Sequence, residues 1–139
     1  VNPVPGAPGI TFAPNSYCVG EAITAPTITA PVGGSTYNWY SDAGLTTLIT
    51  TGTNPTNGSL GFSSATANVT TVFVTETNSL NCEGPATSVT LTVVDIPVAP
   101  AITFTPDTYC VGEVITPPFV TTPTGGSTYT WYDDAGLTT

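Results

Sequence analysis

Alternation of apolar and polar residues along short stretches predicts that this chain is built from β-strands. From Thr87 to Val94, valine and leucine alternate with serine and threonine, which is typical of a strand with one buried face. Thr70 to Thr77 and Tyr37 to Tyr40 predict two further strands. The stretches "GITF" near Gly9 and "CVGEAIT" near Cys18 predict two more, each bounded by a proline.

Turn residues make these strands short. The 14 prolines and 14 glycines interrupt the chain every few residues, so no stretch is long enough for a helix of several turns. We expect two or three short strands between residues 48 and 69, although their pattern is weak. About seven short strands with frequent turns predict an all-β fold, specifically a β-sandwich.

The sequence repeats itself. Pro8 to Thr47 aligns without gaps with Pro100 to Thr139, and 28 of the 40 aligned pairs are identical. A period of about 90 residues is that of a whole small domain. We therefore interpret the chain as part of a longer tandem array. The predicted organisation is a linker from a preceding repeat (1–7), a complete repeat (8–95), a linker (96–99) and the N-terminal part of a second, truncated repeat (100–139).

Composition and charge exclude several functions. The chain has no Lys, Arg or His, and its nine acidic residues give a net charge of −9. Nothing can neutralise the phosphates of nucleic acid or the headgroups of an anionic membrane. No apolar run approaches the roughly 20 residues that cross a bilayer, so we expect no membrane insertion. Without histidine or lysine most acid–base and nucleophilic mechanisms lack a partner, so we expect no enzyme.

We expect no cofactor, and the sequence carries only a weak signal for metal binding. The acidic residues are scattered, as in a solvated surface. Calcium is the metal that carboxylates would favour. Its candidate ligands are Asp95 in the linker and the adjacent pair Asp133 and Asp134 in a turn, but neither stretch has the spacing of an EF-hand loop.

The cysteines predict one disulfide per repeat. Cys18 precedes the Trp39 strand and Cys82 follows the Thr70 strand, so we expect these two to pair. Cys110 is the copy of Cys18, and its partner would lie beyond Thr139. A disulfide indicates an oxidising, extracellular location. The alternative is a pair of unlinked buried thiols.

Aromatic residues divide between core and surface. Pleat alternation puts Tyr37 and Trp39 on one face of their strand and Tyr40 on the other. A tryptophan in such a strand normally fills the core. The predicted core residues are Tyr37, Trp39, Phe73, Leu91 and Trp131. Tyr40 and Tyr132 are expected on the outer face, where they are the better candidates for contact with a glycan.

Four motifs together resemble a known family. "YCVGE", the Trp-Tyr strand "YNWYSD", "TTVFVTE" and a Cys before "SVTLTVV" are similar to the bacterial immunoglobulin-like repeats of Bacteroidota surface proteins. Such repeats occur in large secreted adhesins and filaments, often beside a sorting domain of the type IX secretion pathway. The resemblance implies immunoglobulin-like β-sandwiches in tandem, outside the cell and at its surface.

Two functions remain as hypotheses. The first is a structural stalk or filament segment of a secreted adhesin, whose partners are neighbouring repeats of the same chain or of like chains. The alternative is an immunoglobulin-like module that binds a glycan, on a host or another surface, or a protein. An exposed groove lined by aromatic residues would favour the alternative.

Overall fold

The computed structural model describes residues 3–138. The chain separates into two compact units, Val1–Ile96 and Pro97–Thr139, which we call the first and second unit. Each unit has its own local structure.

The first unit is an all-β domain, as the pattern predicts. Within residues 3–96 there are seven strands and a single-turn helix. They are β1 (Ile10–Thr11), β2 (Ser16–Cys18), β3 (Thr27–Ile28), β4 (Thr36–Tyr40), β5 (Leu48–Thr51), α1 (Asn57–Leu60), β6 (Asn68–Thr77) and β7 (Thr87–Val94).

The strands form two layers. One sheet has the order β2-β7-β6-β4-β5, and β1 pairs with β3 in a second, two-stranded sheet. All pairs are antiparallel except β2 with β7, which run in the same direction. Long β6 and β7 lie at the centre of the larger sheet, so the two most clearly alternating stretches of the sequence form the middle of the domain. The immunoglobulin-like β-sandwich expected from the sequence is confirmed.

A single core fills the space between the layers. Trp39 and Leu91 are completely buried, and Tyr37 is 2 % exposed. The Trp39 indole N–H donates to the Gly52 carbonyl at 2.9 Å, so its one polar atom is satisfied. The full set of buried hydrophobic residues is Tyr17, Ile28, Tyr37, Trp39, Leu60, Phe62, Val72, Val74, Val89, Leu91 and Val93.

Phe73 is not part of this core, contrary to the prediction. Val72 and Val74, its neighbours on β6, are 2 % and 0 % exposed and fill the core side of the strand. Since successive side chains of a strand point to opposite faces, Phe73 lies on the outer face, where it is half-buried. The run "TVFVT" is apolar at every central position, so the sequence alone does not identify its inner face.

Residues 48–69 contain the strand β5, the helix α1 and the first two residues of β6, where the sequence predicts two or three short strands. The helix forms because Thr56 caps it. The Thr56 hydroxyl accepts from the Ser59 backbone N–H, and the Ser59 hydroxyl in turn bonds the Thr56 N–H. This reciprocal cap seats Leu60 in the core.

The second unit repeats the local structure of the first. Its strands β8 (Ile102–Thr103) and β9 (Phe119–Val120) pair as β1 and β3 do. The Tyr109 hydroxyl accepts from the Thr116 N–H at 3.0 Å, matching the 3.1 Å bond between Tyr17 and Thr24. These contacts join residues close in sequence, so they form without the rest of the sandwich.

Trp131, the copy of Trp39, is 55 % exposed and does not lie in a core, contrary to the prediction. In the first unit, β6 pairs with β4 and brings Val74 opposite Trp39. Residues 97–138, the described part of the second unit, hold no counterpart of β6 or β7. Trp131 therefore lines an open groove of about 880 Å³ together with Ile102, Val120 and Tyr129.

Within residues 3–138, no helix has the length and the apolar character that crossing a membrane requires.

Candidate functional site: the two poles of the first unit

The chain enters the first unit at one end of the large sheet, which we call the entry pole (residues 3–8 and the β6–β7 loop, 78–86). The Asn78 side-chain amide donates to the Pro3 carbonyl at 3.0 Å. The Thr87 hydroxyl donates to the Pro8 carbonyl at 2.6 Å. Gly84 is buried against Pro5, and a Cβ built on Gly84 would lie 2.5 Å from the Pro5 carbonyl oxygen. Residues 3–8 are thus attached to the domain along their length.

Asn78 organises the loop of the entry pole. Its side-chain oxygen accepts from the backbone N–H groups of Leu80 and Cys82, each at 3.0 Å. This is how asparagine stabilises a turn, and Asn81 adopts a left-handed conformation (φ 59°) that asparagine tolerates. One side chain therefore links the incoming segment to the backbone of Cys82.

The chain leaves at the opposite end, which we call the exit pole (residues 18–21, 64 and 94). In the parallel pair of β2 with β7, Cys18 is in register with Val94, and the Val19 N–H donates to the Val94 carbonyl at 2.9 Å. The Glu21 carboxylate accepts from the Cys18 N–H at 2.6 Å and closes a tight turn. Gly20 and Glu21 are tied to Ser64 by a backbone and a side-chain hydrogen bond.

The predicted Cys18–Cys82 disulfide is wrong for this fold. Both are free thiols, and they lie at opposite poles. The eight residues of β7 that separate the poles span roughly 25 Å at about 3.3 Å per residue. A disulfide requires Cα atoms within about 7 Å. The error arose because the parallel path of β2 carries Cys18 away from the β6–β7 loop, and nothing local in the sequence indicates that direction. Cys110, the copy of Cys18, is a free and exposed thiol.

A polar cluster lies on the outer face of the large sheet beside the entry pole. The Glu83 carboxylate accepts from the hydroxyl of Thr75 at 2.5 Å and from that of Tyr40 at 2.8 Å, and Asn38 approaches to 3.5 Å. The Thr75 hydroxyl, followed by that of Tyr40, lowers the pKa of Glu83. Burial, and next the Glu83 carboxylate, raise the pKa of Tyr40. The cluster ties the β6–β7 loop to β4 and β6.

Folding lowers the pKa of Glu83. The Glu83 carboxylate therefore stabilises the fold at neutral pH, and this stabilisation is lost as pH falls through the folded pKa. We expect Glu83→Gln to destabilise the first unit at pH 7 and to have a smaller effect near pH 3. Urea midpoints measured at several pH values test this. Thr75→Val removes the closest donor and should also weaken the pH dependence. An effect of Glu83→Gln that is the same at every pH would contradict the assignment.

Asp134, one of the candidate calcium ligands, closes a turn by hydrogen bonds. Asp134 accepts from the backbone N–H and the hydroxyl of Thr138, which lower its pKa. Asp42, its copy in the first unit, likewise accepts from the N–H groups of Thr46 and Thr47. These carboxylates close the turn after the Trp-Tyr motif of each copy. Asp95 is exposed directly after β7.

No group of three cysteine, histidine or carboxylate side chains in the described part of the chain is placed to hold a metal ion. For Asp95, Asp133 and Asp134, calcium binding stays a hypothesis from the sequence.

The surface tyrosines are placed differently in the two units. Tyr40 is half-buried and its hydroxyl is bound to Glu83. Tyr132, its copy, is 44 % exposed and lines the groove of the second unit. In the first unit Tyr40 therefore contributes to the polar cluster.

Sequence reasoning missed the residues that define the poles, namely Asn78, Glu83 and Gly84. "NSLNCEG" does carry a signal for one of them, since asparagine at the start of a tight loop often bonds the backbone two to four residues on. Gly84 is needed because its backbone lies close to Pro5. Since Pro5 is distant in sequence, no local pattern predicts this contact.

The comparison with curated proteins found no match. The scan of family profiles matches "Ig-like domain CHU_C associated" over residues 5–94, which include all seven strands of the first unit, the exit pole and all of the entry pole except residues 3 and 4. The family is associated with type IX secretion in Bacteroidota, so the resemblance noted in the sequence is confirmed. This chain belongs to the family of CHU_C-associated immunoglobulin-like domains.

Proposed function

We propose that this chain is a structural spacer, a stalk or filament segment of a secreted cell-surface protein, in which similar domains follow one another end to end. The observation that carries the proposal is the position of the two poles. The chain enters the first unit beside Asn78 and leaves it beside Cys18, at opposite ends of the large sheet. A domain of this kind adds its own length each time it is repeated.

The connecting segment supports the same function. Residues 95–99 hold Pro97, and Pro100 follows, so the backbone between repeats has restricted freedom. The equivalent residues at the start of the first unit, 3–7, are attached to the rest of that unit by contacts with Asn78 and Gly84. A short connector attached in this way favours a semi-rigid junction over a flexible linker.

Composition fits a spacer outside the cell. A net charge of −9 without a single cation makes like repeats repel one another, which opposes their collapse onto each other. The family to which the chain belongs suggests a secreted or cell-surface protein. In this proposal the chain has no catalytic role and its partners are neighbouring repeats.

Small-angle X-ray scattering of two chains tests the proposal. The first is residues 1–96. The second, the extended chain, is the 139-residue chain continued by residues 48–95, which completes the second copy in register. We expect the maximum dimension to grow by about one domain length from the first to the second, under reducing conditions. A compact extended chain would contradict a spacer, and specific binding of the 139-residue chain on a glycan array would instead support a binding module.

A further inference from the structure

We infer that the parallel pair of β2 with β7 is a mechanical clamp, which lets the first unit bear tension along the chain without unfolding. The clamp lies wholly within the first unit. The inference deepens the proposed function and rests on it, because a stalk or filament segment is pulled from its two ends.

The first step is the direction in which the two strands are pulled. β2 and β7 run in parallel, with Ser16 in register with Thr92 and Cys18 in register with Val94. Tension on the preceding chain pulls β2 from its Ser16 end, and tension on the following chain pulls β7 from its Val94 end. Because these are opposite ends of the pair, the strands are pulled past each other along their own axes. The hydrogen bonds between them are therefore loaded together, in shear.

The second step is the set of bonds that this load must break. At one end of the pair, the Thr92 N–H donates to the Asn15 carbonyl at 2.9 Å. At the other end, the Val19 N–H donates to the Val94 carbonyl, also at 2.9 Å. Between them the strands form the evenly spaced bonds of a parallel pair. Under shear no single bond carries the load alone, so the pair yields only when several bonds break together.

The third step is the anchoring of β2 to the rest of the domain. The Tyr17 side chain lies in the core, and its hydroxyl accepts from the Thr24 N–H at 3.1 Å. Beyond β2, the Gly20 N–H donates to the Ser64 carbonyl at 2.9 Å, and the Ser64 hydroxyl donates to the Glu21 carbonyl at 2.7 Å. β2 is thus held to the core and to the segment before β6 as well as to β7, so it cannot slide without breaking these contacts too.

The segment before β2 is held less firmly and gives way first. Residues 3–8 are attached by separate side-chain bonds from Asn78 and Thr87, and β1 pairs with β3 over only two residues. Tension breaks such contacts one after another and releases little chain. Rupture of the clamp instead frees the chain from Ser16 to Val94, which lengthens it by on the order of 250 Å when fully stretched. The size of the step therefore identifies the clamp.

Optical tweezers on the 139-residue chain test the inference by changing only where the force is applied. Two variants carry Cys18→Ser, Cys82→Ser and Cys110→Ser, and in both one DNA handle is joined to the C-terminal end through a peptide tag. In the shear variant the second handle is joined to the N-terminal end in the same way. In the unzipping variant it is joined to a thiol introduced by Ala22→Cys, at an exposed residue next to the exit pole. Both handles then pull on the same end of the β2–β7 pair, so its bonds break one after another.

Val19→Pro, made in the shear variant, weakens the clamp directly. Gly20 has φ 87°, and the Glu21 N–H donates to the carbonyl of residue 18, which is the arrangement of a type II turn. Proline is common at the second residue of such a turn, which is position 19. The replacement therefore fits the turn and removes the N–H that bonds the Val94 carbonyl.

Thr56→Ala, made in the same variant, is the matched control. It also removes one hydrogen bond to a backbone N–H, that of Ser59 in the cap of α1, but this bond is not part of the β2–β7 pair. Urea titration without force measures the stability that each replacement costs.

We expect the unzipping variant to open at a force lower by about twofold or more, because the evenly spaced bonds of the pair then break singly. At constant force in the shear variant, Val19→Pro should speed unfolding on the order of 5-fold, since one bond fewer resists. Thr56→Ala should change that rate by less than about 2-fold, because contacts that are still intact when the clamp breaks do not affect the unfolding rate.

The inference is overturned if the shear and unzipping variants open at the same force, or if Val19→Pro unfolds no faster than Thr56→Ala. Should Val19→Pro fail to fold, the comparison of attachment points decides alone, because it leaves the bonds of the clamp unchanged. Scattering without force separates this inference from the proposed function. An extended chain that opens equally easily from both attachment points defeats the clamp alone, whereas a compact extended chain defeats the spacer whatever force the clamp resists.

Discussion

Replacing Trp39 by alanine should lower the free energy of unfolding of the first unit by about 3–5 kcal/mol. Trp39 is completely buried, and its indole N–H bonds the Gly52 carbonyl, so truncation leaves a large cavity and an unsatisfied carbonyl. Since domains of this size are stable by only about 5–15 kcal/mol, the loss is a large part of the total stability. Urea titration followed by circular dichroism measures the loss.

Trp131→Ala is the matched control. It removes the same side chain from the second copy of the same motif, but Trp131 is 55 % exposed. We expect little change in the stability of the first unit, and Trp39 fluorescence in this variant reports that unit alone. Equal losses for the two variants would contradict the placement of Trp39 in a closed core and of Trp131 in an open groove.

Replacing Gly84 by alanine should destabilise the first unit by about 1–3 kcal/mol and release residues 3–8 from the entry pole. The added Cβ would lie 2.5 Å from the Pro5 carbonyl oxygen, and the Gly84 N–H is already bonded to the Glu76 carbonyl at 2.8 Å, so the glycine backbone has little freedom to move away. Detachment of the entry segment is the easier relief. It would break the contacts of Pro3 with Asn78 and of Pro8 with Thr87.

NMR chemical shifts of the Val4, Gly6 and Ala7 amides report whether the entry segment detaches, and urea titration measures the loss of stability. Gly58→Ala is the control, because Gly58 is exposed in α1 and a Cβ there would meet nothing within 4 Å. We expect that variant to be unchanged or slightly more stable. If Gly84→Ala behaved like Gly58→Ala, the entry segment would not be packed as described.

The alternation of apolar and polar residues predicted the features that depend on residues close together in the sequence. The alternation from Thr87 to Val94 identified β7 and its inner face, and Tyr37, Trp39 and Leu91 lie in the core where the sequence places them. The 92-residue repeat indicated a domain-sized unit. The failures came from features set by distant residues. The face of Phe73 depends on which valines meet the second sheet, and the burial of Trp131 depends on strands that the described residues 97–138 do not hold.

The poles were the least predictable feature. Spacing alone favoured a bond between Cys18 and Cys82, since each repeat holds one of each. The direction of β2, which pairs in parallel with β7, places them at opposite ends instead. That pairing joins residues more than 70 positions apart, and no local periodicity encodes it. The same pairing is what puts entry and exit at opposite poles.

The central claim is that each repeat adds length in one direction, and the increment in maximum dimension from residues 1–96 to the extended chain tests it most directly. Strand β6 has ten residues, so a domain is roughly 33 Å long, and we expect an increment on the order of 30–40 Å in reducing buffer. An increment of less than about half that length would mean that the second repeat folds back against the first, and the spacer account would be wrong.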